Sequence, residues 1–420
     1  MTALARAERL FSELEQASAD PPGVTRASFG AEEAAGHAMI VREARALDLE
    51  QRTDAIGNLY VTLPGRDRDA PALMTGSHLD SVPHGGNFDG AAGVLAGLVL
   101  LERLAAGPQP PCDVTLMVIR AEEMIWFPEH YLGSRAAFGL LPRDAPDRVR
   151  RCDTGRTLAD HMHAAGFDPA PIRAGRPTLD PARIRAFVEV HIEQGPVLVE
   201  AGLPVGIVSG IRGNMRYRFG QIVGETTHAG GVPRAARRDA VLAGAEMLAA
   251  LEAYWDAAEA RGDDMVLTAG EVWTDPDRHG ITKVPGDVRF TLDVRSLDEA
   301  VLDAFEAHLA EVAAAISARR GVVIDPGPRT RANVAPMDGE IRAGLSAAAE
   351  SLGVGCAPIA SGGGHDTAVF AGRGVPTGMI FIRNRNGSHN PDEAMEQADF
   401  ACACDVLTAW TRAELGLSGD

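Results

Sequence analysis

The chain has 420 residues, 45% of them apolar and 23% charged, and a formal net charge of −18 at pH 7. That length exceeds a single compact core, so two domains are expected. The acidity argues against nucleic acid and anionic membranes as main partners, because both attract basic surfaces. The five cysteines (Cys112, Cys152, Cys356, Cys402 and Cys404) are odd in number and form no C-x-x-C pair. A reducing cytoplasm fits them better than a disulfide framework. The N-terminal segment reads as an amphipathic helix rather than a secretion signal. No apolar run reaches the length of about 18 residues that a membrane span needs.

In chain order, residues 72–76 form a short apolar run that ends at Ser77-His78-Leu79-Asp80. Residues 90–104 are a helix candidate rich in Ala, Leu and Val. Residues 113–119 are a strand candidate that stops just before Glu122-Glu123. Residues 185–190 are another, ending at His191, and residues 378–382 are followed shortly by His389. Strands alternating with helices predict an α/β fold with a central, mostly parallel sheet. Ligands of such sheets bind beyond the carboxyl ends of the strands, which is where each of these polar residues falls.

The middle of the chain reads differently. Residues 215–223 are strand-like, 234–258 helical, 265–273 and 288–294 strand-like, 298–319 helical, and 322–325 strand-like. The order βαββαβ is the ferredoxin-like split. It predicts an inserted domain over 212–328, with residues 1–211 and 329–420 forming the other domain.

The polar residues at the strand ends carry the chemistry. A metal-binding imidazole usually donates its second N–H to an oxygen acceptor, and Asp80 is placed to receive it from His78. Asp89 lies in a glycine-rich turn before a helix, where one carboxylate can bridge two cations; its bland reading is a helix N-cap. Glu122-Glu123 offers one carboxylate for metal and one for protons, or merely a solvated acidic loop. His191 and His389 complete the set, though either alone would more often be structural. Together these residues suit two zinc- or manganese-like ions. Cys402-Ala403-Cys404 reads as packing in a C-terminal helix rather than metal chemistry; His279 stays open to a functional role, and His365 reads as a brace for its loop.

The motifs Thr75-Gly76-Ser77-His78-Leu79-Asp80, Gly86-Asn87-Phe88-Asp89-Gly90, His191-Ile192-Glu193-Gln194-Gly195-Pro196, Ser361-Gly362-Gly363-Gly364-His365-Asp366 and Gly387-Ser388-His389 resemble the M20 family of dinuclear metallohydrolases. More narrowly they resemble its hydantoinase/carbamoylase branch. The resemblance spans nearly the whole chain, from Gly23-Val24-Thr25-Arg26 onward. It implies that His78 and His191 hold one divalent ion, Glu123 and His389 the other, and that Asp89 bridges them. The ions would be Zn or Mn, with Ni and Co as further candidates. Glu122 would be the general base, and Asp80 would orient His78. His228 would stabilise the oxyanion in the partner subunit's site. Arg295 and Gln194 would contact substrate. The inserted domain would mediate a homodimer. The implied reaction is hydrolysis of the linear C–N bond of an N-carbamoyl amino acid or related ureide by metal-activated water. The alternatives are an M20 peptidase or aminoacylase acting on N-acyl substrates, and a scaffold with a relic site.

Several positions depart from that branch. Met124-Ile125-Trp126 replaces its Gly-Ser-Arg after the paired acids, which predicts a bulkier, apolar wall with Trp126 touching substrate. Thr282 replaces the asparagine that pairs with the carboxylate-binding arginine. Thr227 and Gly231-Val232 alter the flanks of His228. Hydrolysis with altered substrate recognition is the expectation.

Overall fold

The computed structural model describes residues 2–417. It divides into two compact units, one built from residues up to Ser209 and from Met337 onward, the other from Gly210–Pro336.

In the first unit the middle of the sheet is parallel. Strand Thr377–Ile382 pairs with Ile184–Ile192, that strand with Ala72–His78, and that in turn with Val114–Ile119. All four are almost wholly buried, as expected of apolar runs covered on both faces. The parallel character stops there. Leu59–Leu63 joins Val114–Ile119 antiparallel, Glu50–Thr53 joins Leu59–Leu63 antiparallel, and Thr377–Ile382 pairs antiparallel with residues 205–207. The sheet is therefore mixed, with a parallel core.

Helix Ala91–Ala105 is apolar around most of its circumference and correspondingly buried. It lies hard on the sheet: a Cβ on Gly93 would sit 2.0 Å from the Val190 carbonyl oxygen. The parallel register aligns the strand ends. His78 is level with Ile119, and His191 with Phe381, so the loops carrying His78, Glu122-Glu123 and His191 leave one edge of the sheet together.

The second unit is an antiparallel sheet in the order Val266–Thr268, Asp287–Ser296, Gly213–Val223, Val323–Asp325. Helices Ala240–Arg261 and Glu299–Arg320 connect its strands. This is the βαββαβ arrangement of the ferredoxin-like fold. Leu302, Phe305, Leu309, Ala313 and Ile316 recur at helical spacing and bury one face of the second helix. Two details differ from the sequence reading. Arg329–Ala332 adds a further strand against Gly213–Val223, so the unit extends past residue 328 to Pro336. The first long helix starts at Ala240 rather than 234, because Asp239 caps it through the Leu242 N–H at 3.0 Å.

Candidate metal centre

His78 ends its strand with Nδ1 3.0 Å from the Asp80 carbonyl and 3.3 Å from Asp80 Oδ1. Both are acceptors, so the ring proton sits on Nδ1 and Nε2 turns inward. His191 does the same: Nδ1 lies 2.9 Å from the Ile192 carbonyl. The inward nitrogens meet Asp89. Its Oδ1 is 3.5 Å from His78 Nε2 and 3.2 Å from His191 Nε2. Its Oδ2 is 3.4 Å from His389 Nε2, which is also 3.4 Å from Glu123 Oε1. Two sets of ligand atoms result, His78–Asp89–His191 and Asp89–Glu123–His389, sharing one carboxylate.

The spacing suits ions. Ligands about 2.1 Å from a tetrahedral zinc lie about 3.4 Å from one another, longer than a usual N–H···O contact. Glu123 Oε1 is buried and has no hydrogen-bond partner, an orphan that a cation would satisfy. The charge balance agrees. Burial, together with the Asp89 charge, pushes the Glu123 carboxyl up to about 7. Burial also drives Glu122 well above the carboxylate range; His78 opposes this, and Glu123 and Asp366 add to it. A divalent ion relieves such crowding.

The neighbouring shell holds these groups. Asp80 accepts the backbone N–H groups of Glu122 at 3.1 Å and Glu123 at 3.0 Å, and the Ser28 hydroxyl at 2.6 Å. Asp89 Oδ2 accepts from the Ser388 hydroxyl at 2.6 Å and from Gln194 Nε2 at 2.7 Å. Glu393 Oε1 accepts the N–H groups of Phe88 at 2.8 Å and Asp89 at 3.2 Å. Gly90 takes φ +65°, and a Cβ there would lie 2.5 Å from His78 Cε1, so only glycine lets the Asp89 turn approach the ring. Arg26, wholly buried, donates to the Leu79 carbonyl at 2.6 Å and to Asn87 Oδ1 at 3.1 Å. Burial pulls its pKa down to about 10, while Glu393, Asp89, Asp80 and Glu123 support its charge. Sequence reasoning gave no role to Arg26, Ser388 or Glu393, although all three lie within or beside segments it singled out.

Residues 74–413 match the peptidase family M20/M25/M40. The chain belongs to this family. It is 37% identical over 393 residues to an allantoate amidohydrolase of Escherichia coli K12, covering 92% of each chain. It is 36% identical to an N-carbamoyl-L-amino acid amidohydrolase of Geobacillus stearothermophilus, covering 97% of this chain and 98% of the relative. Among solved structures, a hydantoinase/carbamoylase family amidase from Burkholderia ambifaria superposes with a TM-score of 0.86 at 31% identity, covering 98% of this chain and 96% of the other. Membership of this family and the candidate ligand clusters described above together imply divalent metal as the cofactor.

The remaining expected site residues of this M20 protein fall in several places. Trp126 is 6% exposed, packs among Phe29, Phe127 and Leu132, and donates its indole N–H to the Ser81 carbonyl at 2.7 Å. It braces the loop after the acids instead of forming a wall. Met124 and Ile125, 37% and 51% exposed, are the side chains that turn outward. Gln194, expected to contact substrate, donates from Nε2 to Asp89 Oδ2. His365 bonds Ser361 Oγ at 3.0 Å and packs edge-on against the His191 ring.

His228, Thr282 and Arg295 belong to the second unit. The Nδ1 of His228 accepts the N–H groups of Gly230 at 3.1 Å and Gly231 at 2.9 Å. The ring proton is thereby fixed on the exposed Nε2. The Thr282 carbonyl accepts the Ala229 N–H at 2.8 Å, so Thr282 holds the same loop through its backbone. Arg295 pairs with Asp293 at 2.9 Å.

Proposed function

We propose that this M20 chain hydrolyses the linear C–N bond of an N-carbamoyl amino acid or a related ureide, using two divalent ions, Zn or Mn, per subunit. The observation that carries this is Asp89, whose two oxygens face two separate sets of ligand atoms. The relatives named for allantoate and N-carbamoyl-L-amino acids support the substrate class.

When bound, ions at these positions polarise a carbonyl and acidify water. His78, Asp89 and His191 would hold one ion; Asp89, Glu123 and His389 would hold the other. Glu122, 4.0 Å from His78 Nε2 and positioned by Asp80, takes the proton from water and returns it to the leaving nitrogen. Such transfer is typically worth about 10²–10⁴-fold. His228 donates its Nε2 proton to the developing oxyanion in the partner subunit's site, within a homodimer formed through the inserted unit. Arg295, steadied by Asp293, binds the substrate carboxylate. A carbamoyl substrate then yields ammonia, carbon dioxide and the free amine.

Among the described residues no helix is long and apolar enough to cross a membrane. The cysteines are unpaired thiols, which supports a reducing cytoplasm as the setting.

Ammonia release from N-carbamoyl amino acids, allantoate and N-acyl amino acids tests the proposal, with Glu122→Gln as control. Ammonia from a ureide, absent in the control, is the expected result. Activity confined to N-acyl compounds would assign the chain to peptidase or aminoacylase chemistry instead.

A further inference from the structure

The chain is strongly acidic, yet one cleft of the inserted unit gathers five arginines. The cleft has a volume of about 1340 Å³ and lies between the start of helix Ala240–Arg261 and the end of helix Glu299–Arg320. Arg234, Arg237, Arg238, Arg319 and Arg320 line it against two carboxylates, Glu225 and Asp239. Asp239 is already committed to the helix cap. Arg319 and Arg320 share a single acid, Glu246. Arg237 donates to the carbonyls of Val232 and Ala229 and makes no ion pair among the described residues. The guanidinium groups of Arg234 and Arg238 make no hydrogen bond or ion pair among the described residues.

Several arginines elsewhere each meet a carboxylate of their own, as in Arg212–Asp264, Arg185–Glu414 and Arg383–Asp399; in this cleft five arginines converge instead. Like charges crowded on one wall repel, and a concave wall concentrates their field. A multivalent anion removes that cost. The planar guanidinium fork matches phosphate oxygens two at a time. The volume is on the scale of pockets that hold small-molecule ligands, which run to about 1,000 Å³, and far exceeds a lone phosphate.

We infer that this cleft is a binding site for a small phosphate-bearing molecule with two or more negative charges, gripped by Arg234 and Arg238 and backed by Arg319 and Arg320. It is separate from the metal centre, whose ligands all lie in the other unit, and does not depend on which substrate that centre cleaves.

Titration calorimetry on metal-loaded protein freed of excess metal tests this, with inorganic pyrophosphate as the probe and citrate as a polycarboxylate comparison. Saturable pyrophosphate binding below about 1 mM is expected. Arg234→Ser/Arg238→Ser should weaken it by about tenfold or more, through loss of two charge-assisted forks. Both residues are exposed and neither guanidinium makes a hydrogen bond or ion pair among the described residues, so the variant should keep its melting temperature and its hydrolytic rate. Arg234→Glu, a single reversal, should weaken binding in the same direction. Three results would overturn the inference: no saturable binding, equal binding by the double variant (which would locate pyrophosphate at the metal centre), or citrate bound as tightly as pyrophosphate.

Discussion

Asp80 holds His78 at one nitrogen with two acceptors, its carbonyl at 3.0 Å and its Oδ1 at 3.3 Å from Nδ1. The same carboxylate takes the backbone N–H groups of both Glu122 and Glu123. One residue thus sets the His78 ring and the backbone of the two acids beside it. Asp80→Asn keeps the volume but cannot accept at every contact. Metal affinity should fall about 10- to 100-fold, the usual loss when an outer-shell partner of a ligand is removed. Competition with a chromogenic chelator measures it; unchanged affinity would mean that the carbonyl alone orients His78.

Asp89 couples the two clusters, so its loss should differ in kind from the loss of an end ligand. Asp89→Asn should empty both positions, whereas His389→Ala should cost only the ion that Glu123 and His389 hold. Metal counted by mass spectrometry after gel filtration distinguishes them. A single ion retained by Asp89→Asn would show that the carboxylate does not bridge.

Trp126 fixes its loop by burial and by the 2.7 Å bond to Ser81. Trp126→Gly should destabilise the fold by about 3–5 kcal/mol, the range for removing a large buried aromatic. Urea denaturation reads this directly. Met124→Ser and Ile125→Ser, at exposed positions, should change stability by no more than about 0.5 kcal/mol. They should shift the ratio of kcat/KM between apolar and polar substrates. Stability loss without Trp126, and altered preference without Met124 or Ile125, is the expected pattern.

His37 is buried with Nε2 lacking any partner. Burial, aided by the Arg120 charge, holds its pKa well below the ordinary imidazole value. The folded chain therefore carries fewer protons than the unfolded chain as pH drops below about 6.5, and stability falls in that direction. The slope from one such group is at most about 1.4 kcal/mol per pH unit. Denaturation midpoints at pH 7.5 and 5.5 should differ more for the native sequence than for His37→Leu. Equal differences would mean that His37 does not contribute.

Much of the fold is legible because the strands around His78, Glu122 and His191 are apolar runs of strand length that stop at polar residues. The period-two burial of Gly213–Val223 and the helical stripe from Leu302 to Ile316 are visible in the same way. What is not legible depends on distant pairing. The antiparallel flanks follow from which strand meets which, and Arg329–Ala332 pairs with residues more than a hundred positions earlier. Glu393 reaches Phe88 across 305 residues, so its support of the Asp89 turn has no local signature. Trp126 shows a different limit: adjacency to Glu123 does not reveal which way the indole turns, and Ser81 captures it.

Metal titration of chelated protein, followed by ammonia release from an N-carbamoyl amino acid, is the most direct test of a two-ion hydrolase. Activity should be absent after chelation, return with added manganese or zinc, and reach its plateau only near two ions per subunit. Full activity in the chelated protein, or a plateau at a single ion, would contradict it.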